Sequence, residues 1–174
     1  MPYTHTENGV TVTFPDTNYF QFAGCPAYTA INSQGVKEMD FIWWQGANNI
    51  LWMIEMKGYY NPVNRRHQAT DLSDKTTSDK KLEELYTKSV HTLCMLQNNR
   101  ANTDACCHFP IPLNATYKIV HLLHVHPTHE TYLSPLSTVL NNRLKTFKAL
   151  YNVSSVAIVS YQRAVSGAIP LPFV

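Results

Sequence analysis

From residue 37 to residue 60 the chain reads KEMDFIWWQGANNILWMIEMKGYY. Two apolar runs rich in aromatic and branched residues flank Gly46-Ala47-Asn48-Asn49, a cluster with turn chemistry. That pattern commits the chain to a buried β-hairpin, with strands expected over 36–45 and 50–60. A symmetric four-residue connection sets Gln45 opposite Ile50, and by continuation Asp40 opposite Glu55 and Glu38 opposite Lys57. Strand side chains alternate, and directly opposed residues share a face. Three carboxylates and an amine therefore converge on the strands with the strongest drive toward burial. Opposed like charges destabilise a strand pair, and a divalent cation would reverse that sign. Mg²⁺ takes oxygen ligands, commonly one or two carboxylates together with water and phosphate oxygens. Lys57 would then orient a water or steady charge growing on a phosphate. The plainer reading is a Glu38–Lys57 cross-strand ion pair, with Asp40 capping a turn or sitting at a solvated edge.

Around this hairpin the periodicities change in a definite order. Residues 9–14 (GVTVTF) alternate as a strand, and 19–24 (YFQFAG), beyond a Pro15–Asn18 turn, are expected to pair with it. Residues 25–31 read equally as strand or helical turn. A polar loop follows Pro62, and apolar Leu82, Leu85, Tyr86, Val90 and Leu93 then keep the spacing of one buried helix face over 78–98. A buried strand over 116–125 follows, then an amphipathic helix opened by Ser134-Pro135, then a strand over 154–162 and an irregular tail. A helix between two strands favours a parallel crossover. The expected fold class is α/β, with a mixed sheet (an antiparallel meander, then β-α-β) flanked by helices.

The 174 residues, 44% of them hydrophobic, suit one domain spanning 1–174. A formal charge of +2 makes no case for nucleic acid by itself, although a local basic surface is compatible with it. The opening MPYTHTENGV has neither a basic nor an apolar signal region, and no run of about 18 apolar residues exists. The expectation is a cytoplasmic chain that spans no membrane, with Cys25, Cys94, Cys106 and Cys107 as reduced thiols.

Asp40 on one core strand, a hairpin, Glu55-Met56-Lys57 on the next, then helix and strand: this arrangement resembles the PD-(D/E)xK nuclease superfamily, the restriction-endonuclease-like fold. The motif rests on those positions, and the element order covers roughly residues 25–162. The proline that precedes the first acid in many members is Met39 here. The resemblance implies Mg²⁺ or Mn²⁺ bound by Asp40 and Glu55, with the Met56 backbone carbonyl as a further ligand and Lys57 assisting the nucleophilic water. The family usually adds an acid from an N-terminal helix. No helix is evident before residue 36, so Glu38, Asp16 or Glu7 would substitute, with Glu38 best placed by strand parity. The implied activity is cleavage of DNA phosphodiesters, with Arg65, Arg66, Lys80, Lys81 and Lys88 meeting phosphates and a homodimer allowed. A catalytically degenerate member that binds nucleic acid or protein without cleavage is the alternative.

Other features are weaker. His121, His124, His126 and His129 crowd one strand end, which makes zinc conceivable, but no paired-ligand spacing or HExxH pattern supports it. Cys106-Cys107-His108 sits in an expected loop. Neither phosphate-binding glycine motif is present. Trp43, Trp44 and Trp52 read as core or as an interface patch.

Overall fold

The computed structural model describes residues 2–60, 70–101, 112 and 114–174. The chain opens with a hairpin of β1 (Tyr3–Glu7) and β2 (Val10–Phe14). Its two-residue turn is Asn8-Gly9, with φ of 53° and 76°. Both angles lie in the left-handed region that a type I′ turn requires. Val10, Val12 and Phe14 point inward and are fully buried, while outward threonines pair across the strands, Thr4 with Thr13 at 3.1 Å and Thr6 with Thr11 at 2.9 Å.

The pairing expected between residues 9–14 and 19–24 does not form. Instead β3 (Tyr19–Phe20) joins β4 (Phe41–Gln45). Asp16 explains the switch: its Oδ1 accepts from the backbone N–H of Asn18 at 2.9 Å and from the Trp43 indole N–H at 2.9 Å. The turn is thereby fastened to β4. The ambiguous segment 25–31 becomes α1 (Pro26–Ile31), so a short helix does precede residue 36.

After the Gly46–Asn48 turn comes β5 (Ile50–Gly58), in the expected register, from Gln45↔Ile50 to Phe41↔Ile54. β4 is shorter than expected because residues 37–39 bond elsewhere. The N–H of Met39 donates to Thr92 Oγ1 at 2.9 Å, and that of Lys37 donates to His91 Nδ1 at 3.0 Å. Both acceptors belong to α2 (Lys75–Ala101), the crossover that leads to β6 (Thr116–His124), parallel to β5.

The second crossover is two helices rather than one. α3 (Leu133–Arg143) and α4 (Lys145–Leu150) divide at Leu144, and β7 (Val153–Ser160) follows, parallel to β6. A short α5 (Tyr161–Val165) begins at Ser160, whose hydroxyl accepts from the Arg163 N–H. The sheet order is therefore β3-β4-β5-β6-β7. The free edge of β7 is capped by α3: Asn141 Nδ2 donates to the Val156 carbonyl, and Ser137 Oγ accepts from the Ile158 N–H. This is the mixed α/β sheet expected, with a separate two-stranded sheet added.

Two apolar layers sandwich the five strands. One contains Met53, Leu82, Leu85, Leu93, Leu123 and Leu140, and the other Val10, Phe14, Trp43, Trp52, Met56 and Phe173. Phe173 anchors the irregular tail, its ring 5.3 Å from that of Trp52 and its carbonyl accepting from the Thr13 N–H. Cys25 is disulfide-bonded, against the expectation of reduced thiols, whereas Cys94 is free and exposed. Among the described residues, no helix is long and apolar enough to cross a membrane.

Candidate functional site

Alternation along β5 sends Trp52, Ile54 and Met56 to one layer and Met53, Glu55 and Lys57 to the other. The second set faces α2. Asp40 stands one residue before β4 and carries on its pairing with a side chain: Oδ2 accepts from the Met56 N–H at 2.6 Å. A main-chain donor thus fixes the carboxylate beside Glu55, where the register places it.

The cation between the two acids is provided by the protein. Lys88, on α2, donates to Glu55 Oε1 at 2.7 Å, and its Nζ lies 3.9 Å from Asp40 Oδ1. Lys57 reaches the same Glu55 oxygen at 3.0 Å and lies 3.8 Å from Glu84, which pairs with Lys81 at 3.4 Å. The result is a line of alternating charge running outward from a centre. Side-chain exposure rises along it, from 0% at Glu55 through 23% at Lys57 to 32% at Lys81. Glu55 Oε2 is buried and has no hydrogen-bond partner among the described residues.

This setting moves the protonation equilibria. Burial, and after it the charge of Asp40, pushes the Glu55 carboxyl up to about 7, against the pull of Lys88 and Lys57. Burial also raises Asp40, opposed by Lys88 and the Met56 N–H. Burial disfavours the charge on Lys57, yet Glu55, its hydrogen bond and Asp40 outweigh that and hold the ammonium above its ordinary value. Glu84, closer to solvent, is drawn below the usual carboxylate range: burial raises it, but Lys81 and Lys57 together prevail.

Beneath the cluster, His121 lies opposite Glu55 in the parallel ladder and is fully buried. Its Nε2 is 3.0 Å from Ser89 Oγ, whose own proton goes to the Leu85 carbonyl at 2.8 Å. The ring therefore donates from Nε2. Burial, then the charges of Lys88 and Lys57, lowers its pKa to about 3.

The structure brings together Asp40, Glu55 and Lys57 but not Glu38. β4 does not extend to residue 38, so strand parity does not govern it, and its carboxylate accepts from the Tyr28 hydroxyl of α1 instead of pairing with Lys57. Asp16 is committed to Trp43. Glu7, at the tip of the first hairpin, is half-exposed, paired with Asn8 and His5, and close enough to add a repulsive influence on Asp40. The Met56 side chain is buried in the opposite layer.

Of the basic residues expected at phosphates, Lys88 is turned inward at 13% exposure and paired with Glu55. Lys81 is half-buried with its ammonium 5.0 Å above the Tyr59 ring, and Lys80 is exposed. Arg65 and Arg66 lie outside the described residues, as do Cys106, Cys107 and His108.

A phosphate contact gives Lys88 no place between the two acids, where the structure puts it. The signal for that place is spacing: Leu85, Lys88 and Thr92 fall at i, i+3 and i+7, so an amine sits on the buried stripe of α2. Among the described residues, no group of three His, Cys, Asp or Glu gathers to hold a metal, which leaves the histidine-zinc reading without support. His124 and His126 pack edge-on against Tyr60, and His129 faces Asp71 at 3.5 Å. Compared with known proteins, the chain matches no family model, no curated protein and no solved structure.

Proposed function

We propose that this chain is a metal-dependent, nuclease-like protein acting on DNA phosphodiester bonds. The observation that carries the reading is that Asp40, just before β4, and Glu55 on β5 address one shared cation, with Lys57 two residues along the same face. Support also comes from element order: acid, hairpin, Glu-x-Lys, helix and strand follow one another as in the PD-(D/E)xK nucleases.

The donor set suits Mg²⁺ or Mn²⁺. Both acids offer hard oxygens, and Glu55 Oε2 is buried without a partner among the described residues. Mg²⁺ seldom takes an all-protein cage and is commonly held by one or two carboxylates completed by water and substrate phosphate, so two acids are enough. Asp40 and Glu55 would hold the ion, with the Met56 carbonyl as a further ligand by resemblance. Such an ion polarises a phosphoryl oxygen and acidifies bound water. Lys57 would balance negative charge growing on the phosphate, its ammonium kept protonated by Glu55. The Met56 N–H would keep Asp40 aimed.

The test is nicking of supercoiled plasmid with Mg²⁺ or Mn²⁺. Asp40→Ala and Lys57→Ala are each expected to lower the rate by about 10²-fold or more. A wild-type protein that nicks no faster than Asp40→Ala overturns the proposal. One observation favours a second reading, a protein of this kind that binds nucleic acid or a protein partner without cleaving: two ammonium groups already neutralise Glu55. Retention of plasmid without nicking would select it.

A further inference from the structure

Lys88 has no evident reason to be where it is on structural grounds alone. Glu55 already has Lys57 at 3.0 Å, and Lys57 is the better solvated of the two amines. Burying a second cation on the same oxygen carries a desolvation penalty, and nearby apolar α2 residues such as Leu85 and Leu93 show that this face accommodates hydrocarbon. Among the described residues, only Lys88 pairs with both acids, 2.7 Å from Glu55 Oε1 and 3.9 Å from Asp40 Oδ1. That is the position from which a divalent ion would bridge them.

We infer that the Lys88 ammonium is a tethered rival of the metal, displaced from the carboxylates when a divalent cation binds and drawn outward by a nucleic-acid phosphate. This rests on the reading of Asp40 and Glu55 as a metal site and deepens it: loading of metal and of DNA become coupled. The ammonium and a divalent ion cannot share the two carboxylates at close range without strong repulsion. Lysine is suited to leaving, since its four-carbon stem is flexible and its ammonium acts as a point charge without fixed fork geometry.

An outward move takes Lys88 along α2 toward Glu84, one turn back, but that carboxylate already serves Lys57 and Lys81. A phosphodiester arriving at the mouth of the cluster supplies the missing anion. Metal without DNA must strip Glu55 of a partner and strand an amine. Metal with DNA gives that amine a new partner. By thermodynamic reciprocity, DNA tightens metal binding and metal tightens DNA binding by the same factor.

Mn²⁺ titration by calorimetry and by electron paramagnetic resonance reads this without any turnover. Wild-type protein, Lys88→Gln and Lys88→Arg are compared with and without a phosphorothioate-linked DNA duplex, and circular dichroism checks the fold. For the wild type, the duplex is expected to tighten Mn²⁺ binding about tenfold or more. Lys88→Gln, which keeps a donor but no charge, is expected to bind Mn²⁺ about tenfold tighter than wild type without DNA and to gain little from the duplex. Lys88→Arg, still cationic, should not show that gain.

If the wild type binds Mn²⁺ and folded Lys88→Gln binds it no tighter, the inference fails and the metal site survives. Should Lys88→Gln not fold, the wild-type comparison decides: an Mn²⁺ affinity indifferent to DNA overturns the rivalry. Absence of Mn²⁺ binding in wild type and variants, with DNA or without, overturns both the rivalry and the metal site.

Discussion

The two faces of the five-stranded sheet are built from the same strands and differ in kind. Toward the first hairpin, β4 and β5 present Phe41, Trp43, Trp52, Ile54 and Met56, which meet Phe14 and Phe173 in an aromatic layer without a buried carboxylate among the described residues. Toward α2 the same strands present Ile42, Met53 and then Glu55, with His121, Ser89 and Thr92 also buried. One face shows what this backbone accepts when only packing is at stake. The other departs from that solution over a few residues, at the C-terminal end of β5. Buried ion pairs rarely gain over hydrocarbon of the same volume, so the departure argues for a task other than stability.

Four substitutions or titrations test the contrast, in descending order of effect. Phe14→Ala empties a fully buried site in the aromatic layer and is expected to cost about 3–5 kcal/mol in chemical denaturation. Mn²⁺ binding should be unchanged in the folded fraction.

Across the sheet, Glu55→Leu leaves Lys88 without its closest partner and should cost about 3 kcal/mol. The double variant Glu55→Leu/Lys88→Leu should recover most of that loss, and continued instability would show that the charges do hold the fold together.

Third is a pH effect. Glu55 has a folded pKa of about 7, above its ordinary 4.5, so the folded state binds the extra proton between those values. Its contribution is present below pH 4.5 and is lost as pH rises through 7. His121 acts in the opposite sense: with a folded pKa of about 3 against 6.5, its contribution is lost as pH falls through that window. The two oppose each other in the wild type. Subtracting the Glu55→Gln stability curve removes the histidine's share, and wild type should then gain on the order of 2 kcal/mol relative to the variant on acidification from pH 7.5 to 4.5. A flat difference curve would mean that Glu55 titrates in the folded protein as it does in the unfolded chain.

Smallest is Lys118→Ala. It removes the ammonium of half-buried Lys118 from 4.9 Å above the Trp52 ring and should cost about 0.5 kcal/mol, the low end for a contact of this kind.

The hairpin register was legible because its turn is symmetric and its strands are apolar on both faces. Asp40, Glu55 and Lys57 could therefore be placed together from residue numbers alone. What the sequence hid depended on distant partners. The strand ends at Phe41 because Met39 bonds to Thr92, some fifty positions away, and Glu38 leaves the group for Tyr28 for the same reason. The first hairpin carries the strongest short signal for such a turn, Asn8-Gly9, but the alternating run 9–14 has turn residues at both ends and periodicity alone does not choose between them. By residue type Lys88 belongs with the lysines expected at phosphates, while its place on the stripe of Leu85 and Thr92 points to the interior.

The capping of β7 by Asn141 and Ser137 limits how copies of this molecule can assemble. With the Val156 carbonyl and the Ile158 amide already engaged, an incoming strand would find no continuous row of partners there and could not lengthen the sheet from that side. Extension of the five-stranded sheet by a second copy is thereby confined to its other edge, β3.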